Sequence, residues 1–408
     1  MTPPPAARLL DVTRLVSRAG RGLTGVDRVE RAYLVHLLSL DTPLFGLART
    51  VAGYALLDRE GLTGLLRRID GRRDWGAPDL IARLGRRLTP MQRRADADIR
   101  RLACARSSRV GLRWLLRRRM PEGLAYLNIG HSNLTSRVLK AVRGVRGARI
   151  AVMIHDTIPL DYPQFQREGT VSRFRAALQR TGRHADLLIF NSARTKGDVE
   201  RVLNRWNLSV KGVVAHLGVA APRPDPSLLP PGLPPEAPYF VPLGTIEPRN
   251  NHALLLDVWE ELAAGSDPVP RLVICGARGW RNEAVFARLD ALPPDGPVLE
   301  CPDLPDGAVA ALVAGAAGLL QPSFAEGFGL PPVEAAALGT PVVCADLGVF
   351  HEVLGDIPVY LNPSDRVSWT KEVRTLARVD GRVSGTGIQD GYVPPSWQDH
   401  FDIVLTLT

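Results

Sequence analysis

Short apolar runs recur along the chain, and segments in which apolar and charged positions alternate with helical spacing lie between them. Such runs are typical of strands that are buried on both faces of a sheet. In the first half of the chain they predict strands at 8–16, 43–47, 124–129, 149–154, 187–191 and 213–217. Helices are predicted at 26–40 and near 133–142, 168–182 and 193–205. Because strands and helices alternate, the sequence predicts an α/β protein with parallel sheets.

A proline-rich segment interrupts this alternation near the middle of the chain. Eight prolines fall within residues 222–238, a density typical of a linker. The pattern then restarts, with predicted strands at 239–243, 272–275, 318–321 and 341–344 and helices at 253–262, 308–316 and 332–338. We therefore predict two Rossmann-like domains that face a cleft. The predicted boundaries are an N-terminal domain at 1–222, a linker at 223–238, a C-terminal domain at 239–395 and a final helix at 396–408.

Residues 322–343 read Pro-Ser-Phe-Ala-Glu-Gly-Phe-Gly-Leu-Pro-Pro-Val-Glu-Ala-Ala-Ala-Leu-Gly-Thr-Pro-Val-Val, a glycine-rich loop that leads into a helix. Gly329 allows backbone conformations that other residues avoid, and Pro331 suits the first turn of a helix. Free amide groups near Gly329 would offer a site for a phosphate or pyrophosphate. Glu326 and Glu334 lie on either side of this site, where they could bind sugar and ribose hydroxyls. A loop that feeds an ordinary amphipathic helix is the alternative interpretation.

This string resembles the signature of family 4 retaining glycosyltransferases (group 1 type), in which seven residues separate two glutamates. The resemblance implies the GT-B fold, with a C-terminal helix that packs back on the first of two Rossmann-like domains. It implies that Glu326 contacts the donor sugar and that Glu334 holds the nucleotide ribose. It also places Phe328, Gly329 and Leu330 at the donor.

The segment after the first strand of the second domain resembles the family string Gly-Thr-x-Glu-Pro-Arg-Lys-Asn. In this chain it reads Gly-Thr-Ile-Glu-Pro-Arg-Asn-Asn, from Gly244 to Asn251. Arg249 is predicted to neutralise charge on the leaving diphosphate, a bidentate task that suits a guanidinium. Asn250 stands where the family carries lysine, so it can donate a hydrogen bond but carries no charge. Gly244 and Thr245 complete this part of the predicted donor site.

Strand ends and loops supply the remaining candidates. His155 lies in a His-Asp sequence that resembles the family's, and it is predicted to bind the donor sugar; a core histidine bonded to a backbone carbonyl is the alternative. Thr24 and Gly25 belong to a glycine loop that resembles the family's loop beside the donor phosphate. Arg28 is either a site residue or part of the first turn of the next helix. Arg278 is predicted to contact phosphate or nucleobase.

The net charge of +9 is not spread evenly along the chain. Residues 61–120 hold 17 arginines against five aspartates, a local charge of +12, so the remainder of the chain sums to −3. We treat residues 59–120 as an Arg-rich insertion in the first domain. Within it, 83–119 has the pattern of basic amphipathic helices on an anionic membrane, with 114–116 (Trp-Leu-Leu) inserted. A solvated helical pair is the alternative, and few aromatic residues are present for nucleic-acid binding.

Together these patterns predict a metal-independent glycosyltransferase, specifically a hexosyltransferase, with Glu326, His155 and Arg249 as its catalytic residues. Its substrates would be a nucleotide diphosphate sugar and a hydroxyl group on a saccharide or lipid-linked acceptor. The resemblance implies retention of anomeric configuration and a place in cell-surface polysaccharide, lipopolysaccharide or glycolipid assembly. We expect no metal site, no cofactor beyond the nucleotide sugar and no nucleic-acid partner.

Two alternative functions remain open from the sequence. One is a sugar-nucleotide epimerase on the same fold, and the other is a catalytically weak scaffold that binds nucleotide sugars, which Asn250 favours. The four cysteines are scattered along the chain, without the spacing of a metal site or a disulfide scaffold. No apolar run approaches the ~20 residues that span a bilayer, and the N-terminus lacks the apolar core of a signal peptide. These features predict a cytoplasmic protein, and the pattern of 83–119 predicts peripheral attachment at the inner face of the plasma membrane.

Overall fold

Two mainly parallel sheets with flanking helices make up the computed structural model, which describes residues 4–220, 223–236, 238–378 and 392–408. The strands of the first sheet are β1 (Ala7–Asp11), β2 (Leu44–Thr50), β3 (Gly53–Leu57), β4 (Ala105–Ser107), β5 (Leu124–Asn128), β6 (Arg149–Ile154), β7 (Leu187–Phe190) and β8 (Gly212–Val214). Those of the second sheet are β9 (Tyr239–Val241), β10 (Arg271–Cys275), β11 (Val298–Cys301), β12 (Gly318–Gln321), β13 (Val342–Ala345) and β14 (Val359–Leu361).

Helices precede or follow most of these strands. In the first half they are α1 (Thr13–Ser17), α2 (Gly25–Ser39), α3 (Arg59–Ile69), α4 (Leu80–Arg83), α5 (Pro90–Leu102), α6 (Leu112–Arg119), α7 (Ser136–Arg143), α8 (Ile158–Asp161), α9 (Thr170–His184) and α10 (Ala193–Asn204). In the second half they are α11 (His252–Ala263), α12 (Glu283–Asp290), α13 (Asp306–Ala314), α14 (Leu330–Ala337), α15 (Gly348–Leu354), α16 (Arg366–Arg378) and α17 (Trp397–Leu407).

The first sheet has the strand order β4-β3-β2-β1-β5-β6-β7-β8. Its strands are parallel except β3 and β4, which extend one edge in antiparallel pairs. All five residues of β5 are buried, as expected for a central strand covered by helices on both faces. Because parallel strands share their direction, the loops that follow β1, β5, β6 and β7 meet at one edge of the sheet, where ligands bind in this class of fold.

The second sheet has the order β11-β10-β9-β12-β13-β14, and every pair in it is parallel. Its loops after β9, β10 and β12 therefore also share one edge. A buried apolar cluster includes Leu10 and Tyr33 of the first half together with Phe350 and Phe401 of the second. The two halves thus pack on one another through apolar as well as polar side chains.

Most predicted elements are confirmed, and the first predicted strand is the clearest error. The prediction at 149–154 matches β6, the one at 318–321 matches β12, and the one at 26–40 matches α2 within one residue. The strand predicted at 8–16 is wrong beyond residue 11, because the Asp11 carboxylate accepts a hydrogen bond from the amide of Thr13 at 3.1 Å and the chain turns into α1. The apolar residues of α1 are buried as helix positions rather than as strand positions.

The predicted domain boundaries stay predictions. Residues 221, 222 and 237, at the ends of the predicted linker, lie outside the described residues, as do residues 379–391 within the predicted second domain.

The Arg-rich insertion is built into the first domain. It contains α3, α4, α5, β4 and α6, and β4 forms the edge of the first sheet. Some of its arginines are buried: the Arg68 Nε lies 2.7 Å from Asp98 Oδ2, and the two side chains are 8% and 2% exposed. Asp98 also accepts hydrogen bonds from Arg101 Nη1 at 2.7 Å and from the amide of Gly76 at 2.8 Å. Part of the positive charge of the insertion is therefore paired within the folded domain and stabilises it.

This network predicts a large loss of stability on removal of its carboxylate. Asp98→Ala would leave the buried Arg68 guanidinium without its carboxylate, with Nη1 still bonded to the carbonyl of Gly64, and breaking a buried ion pair in this way costs about 3–5 kcal/mol. Urea unfolding should show that drop in the free energy of unfolding. Asp74→Ala, at an exposed position in the same segment, should change it by less than about 0.5 kcal/mol. A similar small change for Asp98→Ala would contradict the prediction.

Two of the three residues predicted to insert into a membrane are buried in the protein. Leu115 and Leu116 belong to the core cluster beneath α6, whereas Trp114 is 65% exposed. The prediction for 114–116 is therefore wrong for both leucines, because the apolar face of α6 packs on the sheet and its basic face points outward. Within the described ranges, no helix is both long and apolar enough to cross a bilayer.

The C-terminal helix α17 packs against the first domain, as predicted. The His400 ring is buried, and its Nε2 lies 2.7 Å from the hydroxyl of Tyr33 on α2. Its Nδ1 lies 2.9 Å from the carbonyl oxygen of His216, so Nδ1 carries the proton and the tyrosine donates to Nε2. Phe401 stacks on His36 with ring centroids 3.8 Å apart. The chain thus returns from the second sheet to the first.

Candidate active site

The strand-end loops of the two sheets touch at Gly327. A Cβ atom at this position would lie 2.3 Å from the carbonyl oxygen of His155, so only glycine permits this approach. The hydroxyls of Ser192 and Thr195 each donate to the Gly327 carbonyl at 3.2 Å. The loop after β12 therefore lies against the end of β6 and the start of α10.

Gly329 sets the start of the signature helix α14. It has φ of 89°, in the left-handed region that favours glycine, and a Cβ atom there would lie 2.3 Å from Phe350 Cε1. α14 then begins at Leu330, and prolines occupy its first turn as predicted. Phe328 is buried beside it. A Cβ atom on Gly25 would lie 3.3 Å from Leu330 Cδ1, so the glycine loop of the first domain contacts the start of this helix.

The Thr24 side chain caps the start of α2. Its hydroxyl and its amide both donate to the Asp27 carboxylate, at 2.6 and 2.8 Å, in a capping box. Asp27 is itself held by Arg14 and Arg18, at 2.6 and 3.1 Å. The structure therefore uses the Thr24 side chain to shape the loop, while its predicted contact with the donor stays a prediction.

Arg249 and Glu326 form an ion pair at the centre of the site. Arg249 Nη1 lies 2.5 Å from Glu326 Oε1, and Arg249 Nη2 lies 2.9 Å from Glu247 Oε1. Arg249 Nη1 also donates to the carbonyl of Ala325 at 2.8 Å, and Ser323 donates to Glu326 at 3.0 Å. Although burial lowers the pKa of Arg249, the two carboxylates raise it above its usual range. The guanidinium is thus a permanent charge held by two acids.

Two further acids stand beside this pair. Burial raises the pKa of Asp156 to about 6, although Arg249 opposes the rise. Burial likewise raises the pKa of Glu247, again against the effect of Arg249. The Asp156 carboxylate also accepts from the amide of Ile158 at 3.0 Å, which orders the turn after β6. The Arg249 guanidinium therefore offsets several carboxylates.

Asn250 is buried and its side chain is used within the second domain. It is 5% exposed, and its Nδ2 donates to the carbonyl of Thr245 at 2.7 Å. Its Oδ1 lies 3.4 Å from Ser323 Oγ. Gly244, with φ of 145°, lies at this turn, where the loops after β9 and β10 approach closely. Asn250 thus supports the turn and adds no charge to the site.

Glu334 is bound by a residue of the first domain. Arg28 Nη1 lies 2.9 Å from Glu334 Oε1, and Arg28 Nη2 lies 2.7 Å from Asp306 Oδ1. The sequence analysis left Arg28 undecided between a site residue and part of a helix turn. The sequence signal that could have identified Arg28 as a site residue is its position three residues after Gly25, in the loop that resembles the family's.

His155 is buried with its ring bonded to a backbone carbonyl. Its Nε2 lies 2.8 Å from the Ile129 carbonyl oxygen, and the centroid of its ring lies 5.1 Å from that of His131. Burial lowers the pKa of His155 to about 4, so the imidazole is neutral at pH 7 and Nε2 donates. This geometry matches the alternative of a carbonyl-bonded core histidine, and a contact with the donor stays a prediction.

His155 should make the protein less stable in mild acid. Its folded pKa of about 4 lies below the ordinary value of ~6.5, so the unfolded chain binds the proton first as the pH falls. The contribution is complete above about pH 6.5 and is lost toward pH 4. His155→Gln should therefore lose less unfolding free energy between pH 7 and pH 5 than the unmodified protein, as measured by urea unfolding. An equal loss in His155→Gln and in the unmodified protein would contradict the prediction.

Arg278 is held away from the central ion pair. It binds Glu300 at 2.8 Å and Asp290 at 2.7 Å, and its guanidinium lies 5.5 Å from the centroid of the Phe286 ring. The hydrogen bonds that its guanidinium donates to these carboxylates raise the pKa of Arg278 above the usual range. Its predicted contact with phosphate or nucleobase stays a prediction.

An open cavity of about 540 Å³ adjoins Glu326. Its walls come from both halves of the chain and include Asp156, Tyr162, Arg194, Phe324, Glu326 and Asp346. The volume lies within the range of small-molecule sites, and the lining combines aromatic rings with carboxylates and the guanidinium groups of Arg194 and Arg201. Such a wall can bind hydroxyl groups and stack on the apolar face of a ring.

Comparisons with known proteins agree with this arrangement. Residues 230–361 match the family model of glycosyl transferases group 1. The Escherichia coli serotype-specific mannosyltransferase WbdA is 32% identical over 240 residues, which cover 54% of this chain and 29% of that protein. The E. coli O-antigen chain mannosyltransferase B is 34% identical over 127 residues, covering 31% of this chain and 33% of that protein. The matches thus span about a third or less of these relatives.

A solved structure extends the likeness to nearly the whole chain. The Anabaena protein HepE, crystallised in complex with UDP-glucose, has a TM-score of 0.61 at 16% identity and covers 91% of this chain and 90% of its own. This likeness confirms the predicted GT-B fold, and the family match confirms the resemblance drawn from the Glu326–Glu334 segment. The roles of the individual site residues stay predictions.

Proposed function

We propose that this protein is a retaining glycosyltransferase that moves a hexose from a nucleotide diphosphate sugar to a hydroxyl group of a saccharide or lipid-linked acceptor. The observation that carries the proposal is the Glu326–Arg249 ion pair, at 2.5 Å, beside a cavity formed by both halves of the chain. The mannosyltransferase relatives favour mannose as the first sugar to test and polysaccharide assembly as the process.

The reaction needs opposite charges at two neighbouring places. Positive charge develops on the donor sugar as its bond to the diphosphate breaks, and negative charge develops on the diphosphate. Arg249 and the free amides at the start of α14 would bind the diphosphate. Glu326 would then exchange part of its contact with Arg249 for contacts with sugar hydroxyls, and Glu334 would bind the ribose. Closure of the two sheets around the donor excludes water and limits hydrolysis.

We also propose that the reaction needs no metal ion and no cofactor beyond the nucleotide sugar. The support is that Arg249 and the helix amides can supply positive charge to the leaving group without a metal. Turnover should be the same within about twofold in EDTA and in Mg²⁺ or Mn²⁺. A loss on chelation that either metal restores would contradict this part of the proposal.

One incubation separates the proposed function from its alternatives. The protein is mixed with UDP- and GDP-linked glucose and mannose, and nucleotide release is followed with and without saccharide acceptors. Release that depends on an acceptor supports the transferase. Isomerisation of the donor without an acceptor supports the epimerase, and tight binding without turnover supports the scaffold.

We propose a cytoplasmic location at the inner face of the plasma membrane. The four cysteines, all within the described ranges, are free thiols, as is usual in a reducing compartment. Trp114 and Val110 are exposed close to one another in sequence, among the exposed arginines Arg113 and Arg117. Basic residues around an exposed tryptophan favour the surface of an anionic membrane.

Co-sedimentation with lipid vesicles tests the attachment. We expect binding to vesicles that contain phosphatidylglycerol, little binding to phosphatidylcholine alone, and release in high salt. Trp114→Ala should weaken binding several-fold, whereas Val367→Ala, an exposed apolar position on α16, should not. Absence of salt-sensitive binding would favour the alternative of a solvated helical surface.

A further inference from the structure

Arg28 joins the first domain to the predicted ribose-binding residue of the second. Its guanidinium lies between two carboxylates, 2.9 Å from Glu334 and 2.7 Å from Asp306. The Glu334 side chain is 15% exposed and that of Arg28 is 38% exposed, so this contact is partly shielded from water. Within the described residues, the Arg28–Glu334 contact is a direct ion pair between the two halves of the chain, at the signature helix α14.

The same contact places a cation close to the start of α14. Glu334 is four residues beyond Leu330, so it lies roughly 6 Å along the helix axis from the first helical residue. Gly25, three residues before Arg28, already meets Leu330, since a Cβ atom there would lie at 3.3 Å. The first turn of α2 therefore lies against the side chain of the first residue of α14, the helix whose first amides would bind a diphosphate.

The second domain is short of positive charge at this place. Asn250 carries none, and its amide is bonded to the carbonyl of Thr245. Arg249 is shared between Glu247 and Glu326. A departing diphosphate carries more negative charge than one shared guanidinium can offset.

We propose that Arg28 is the second cation of the donor site, which contacts the diphosphate of a bound nucleotide sugar and supplies the charge that Asn250 lacks. The inference rests on the proposed function. A guanidinium has five N–H donors, and the contacts with Glu334 and Asp306 use two of them. The remaining donors can therefore bind phosphate oxygens while the ribose hydroxyls occupy Glu334. Because Arg28 belongs to the first domain, the complete cation set exists only when the two domains are together.

A charge-restoration experiment tests the proposal. Binding of UDP and GDP, and of the corresponding monophosphates, is measured by calorimetry for the unmodified protein, Arg28→Gln, Asn250→Lys and the double variant. Arg28→Gln should weaken diphosphate binding about 30-fold, as expected for loss of a charge-assisted contact, with a smaller effect on the monophosphates. Asn250→Lys in the Arg28→Gln background should restore most of the lost affinity and of kcat.

Two controls separate this role from a purely structural ion pair. Arg31→Gln removes an arginine from the same helix that pairs with Asp70 at 2.7 Å within the first domain, and it should leave nucleotide binding within about twofold. Arg28→Lys keeps the charge and should retain most of the diphosphate affinity even if the geometry is imperfect.

Two results would overturn the inference while leaving the proposed function intact. One is unchanged diphosphate binding in Arg28→Gln. The other is a loss that Arg28→Lys reproduces in full and Asn250→Lys does not restore, which would identify a structural contact between domains. An unmodified protein that binds no nucleotide and transfers no sugar would instead contradict the proposed function itself.

Discussion

The Glu326→Gln variant is expected to lower kcat for sugar transfer by about 10²–10³-fold, because an amide cannot offset the positive charge that develops on the donor sugar. Glu326 is placed for this role by Arg249 at 2.5 Å and Ser323 at 3.0 Å, and it faces the cavity. Glutamine has nearly the same shape, so the fold and the affinity for nucleoside diphosphate should change little. The measurement is the initial rate of acceptor-dependent nucleotide release, together with calorimetric binding of UDP and GDP.

A matched control sits on the same domain. Glu260→Gln changes an exposed glutamate that pairs with Arg288 on the outer helices, and it should leave kcat within about twofold. If Glu326→Gln retained kcat within threefold, Glu326 could not be the residue that stabilises the reacting sugar. A loss of donor affinity with kcat unchanged would instead point to uniform binding of donor and transition state.

The alternation of strands and helices could be predicted because it follows from local patterns. β6 and β12 were predicted to the residue, since apolar runs buried on both faces leave little ambiguity. The signature loop was also predictable, because Gly329 has a left-handed conformation and a close neighbour that exclude other side chains. These features depend on residues near one another in the sequence.

The Arg-rich insertion shows where local patterns are insufficient. Its high positive charge predicted a surface segment, yet Arg68 and Asp98 form a buried pair that fixes α3 against α5. The positions of Leu115 and Leu116 fit an amphipathic helix that packs on a membrane and one that packs on a sheet equally well. The sequence pattern specifies an apolar face, whereas the tertiary fold decides what covers that face.

Contacts between the two halves were the hardest to predict. Arg28 and Glu334 are 306 positions apart, and nothing in either local motif specifies the other. The same holds for Gly327, whose lack of a Cβ atom permits its contact with the backbone of His155. A motif can predict that a residue faces a cleft, but the partner across the cleft follows only from how the domains pack.

Arg249→Gln is expected to lower kcat/KM by about 10³-fold and also to destabilise the protein. The activity falls because the diphosphate loses its bidentate cation. The stability falls because Glu326 and Glu247 lose their shared partner while the half-buried Asp156 stays beside them. Removing one member of such a buried cluster costs about 3–5 kcal/mol.

The stability loss should grow as the pH rises. Burial raises the pKa of Asp156 to about 6 and raises that of Glu247, and in both cases Arg249 opposes the rise. Without the arginine both folded pKa values move further above those of the unfolded chain. Acids with raised folded pKa values stabilise the fold at low pH and lose that contribution as the pH rises above the unfolded values near 4. The difference in unfolding free energy between Arg249→Gln and the unmodified protein should therefore be larger at pH 7.5 than at pH 5.

A double variant shows whether the stability loss comes from the unpaired acids. Glu326→Gln combined with Arg249→Gln removes one of the carboxylates that the arginine balances, so the double variant should be less destabilised than the sum of the single changes. Urea unfolding of all four proteins at pH 5 and pH 7.5 gives the comparison. Additive losses with no dependence on pH would mean that Arg249 stabilises the fold through packing alone, and its activity loss would then need another cause than the charge of this cluster.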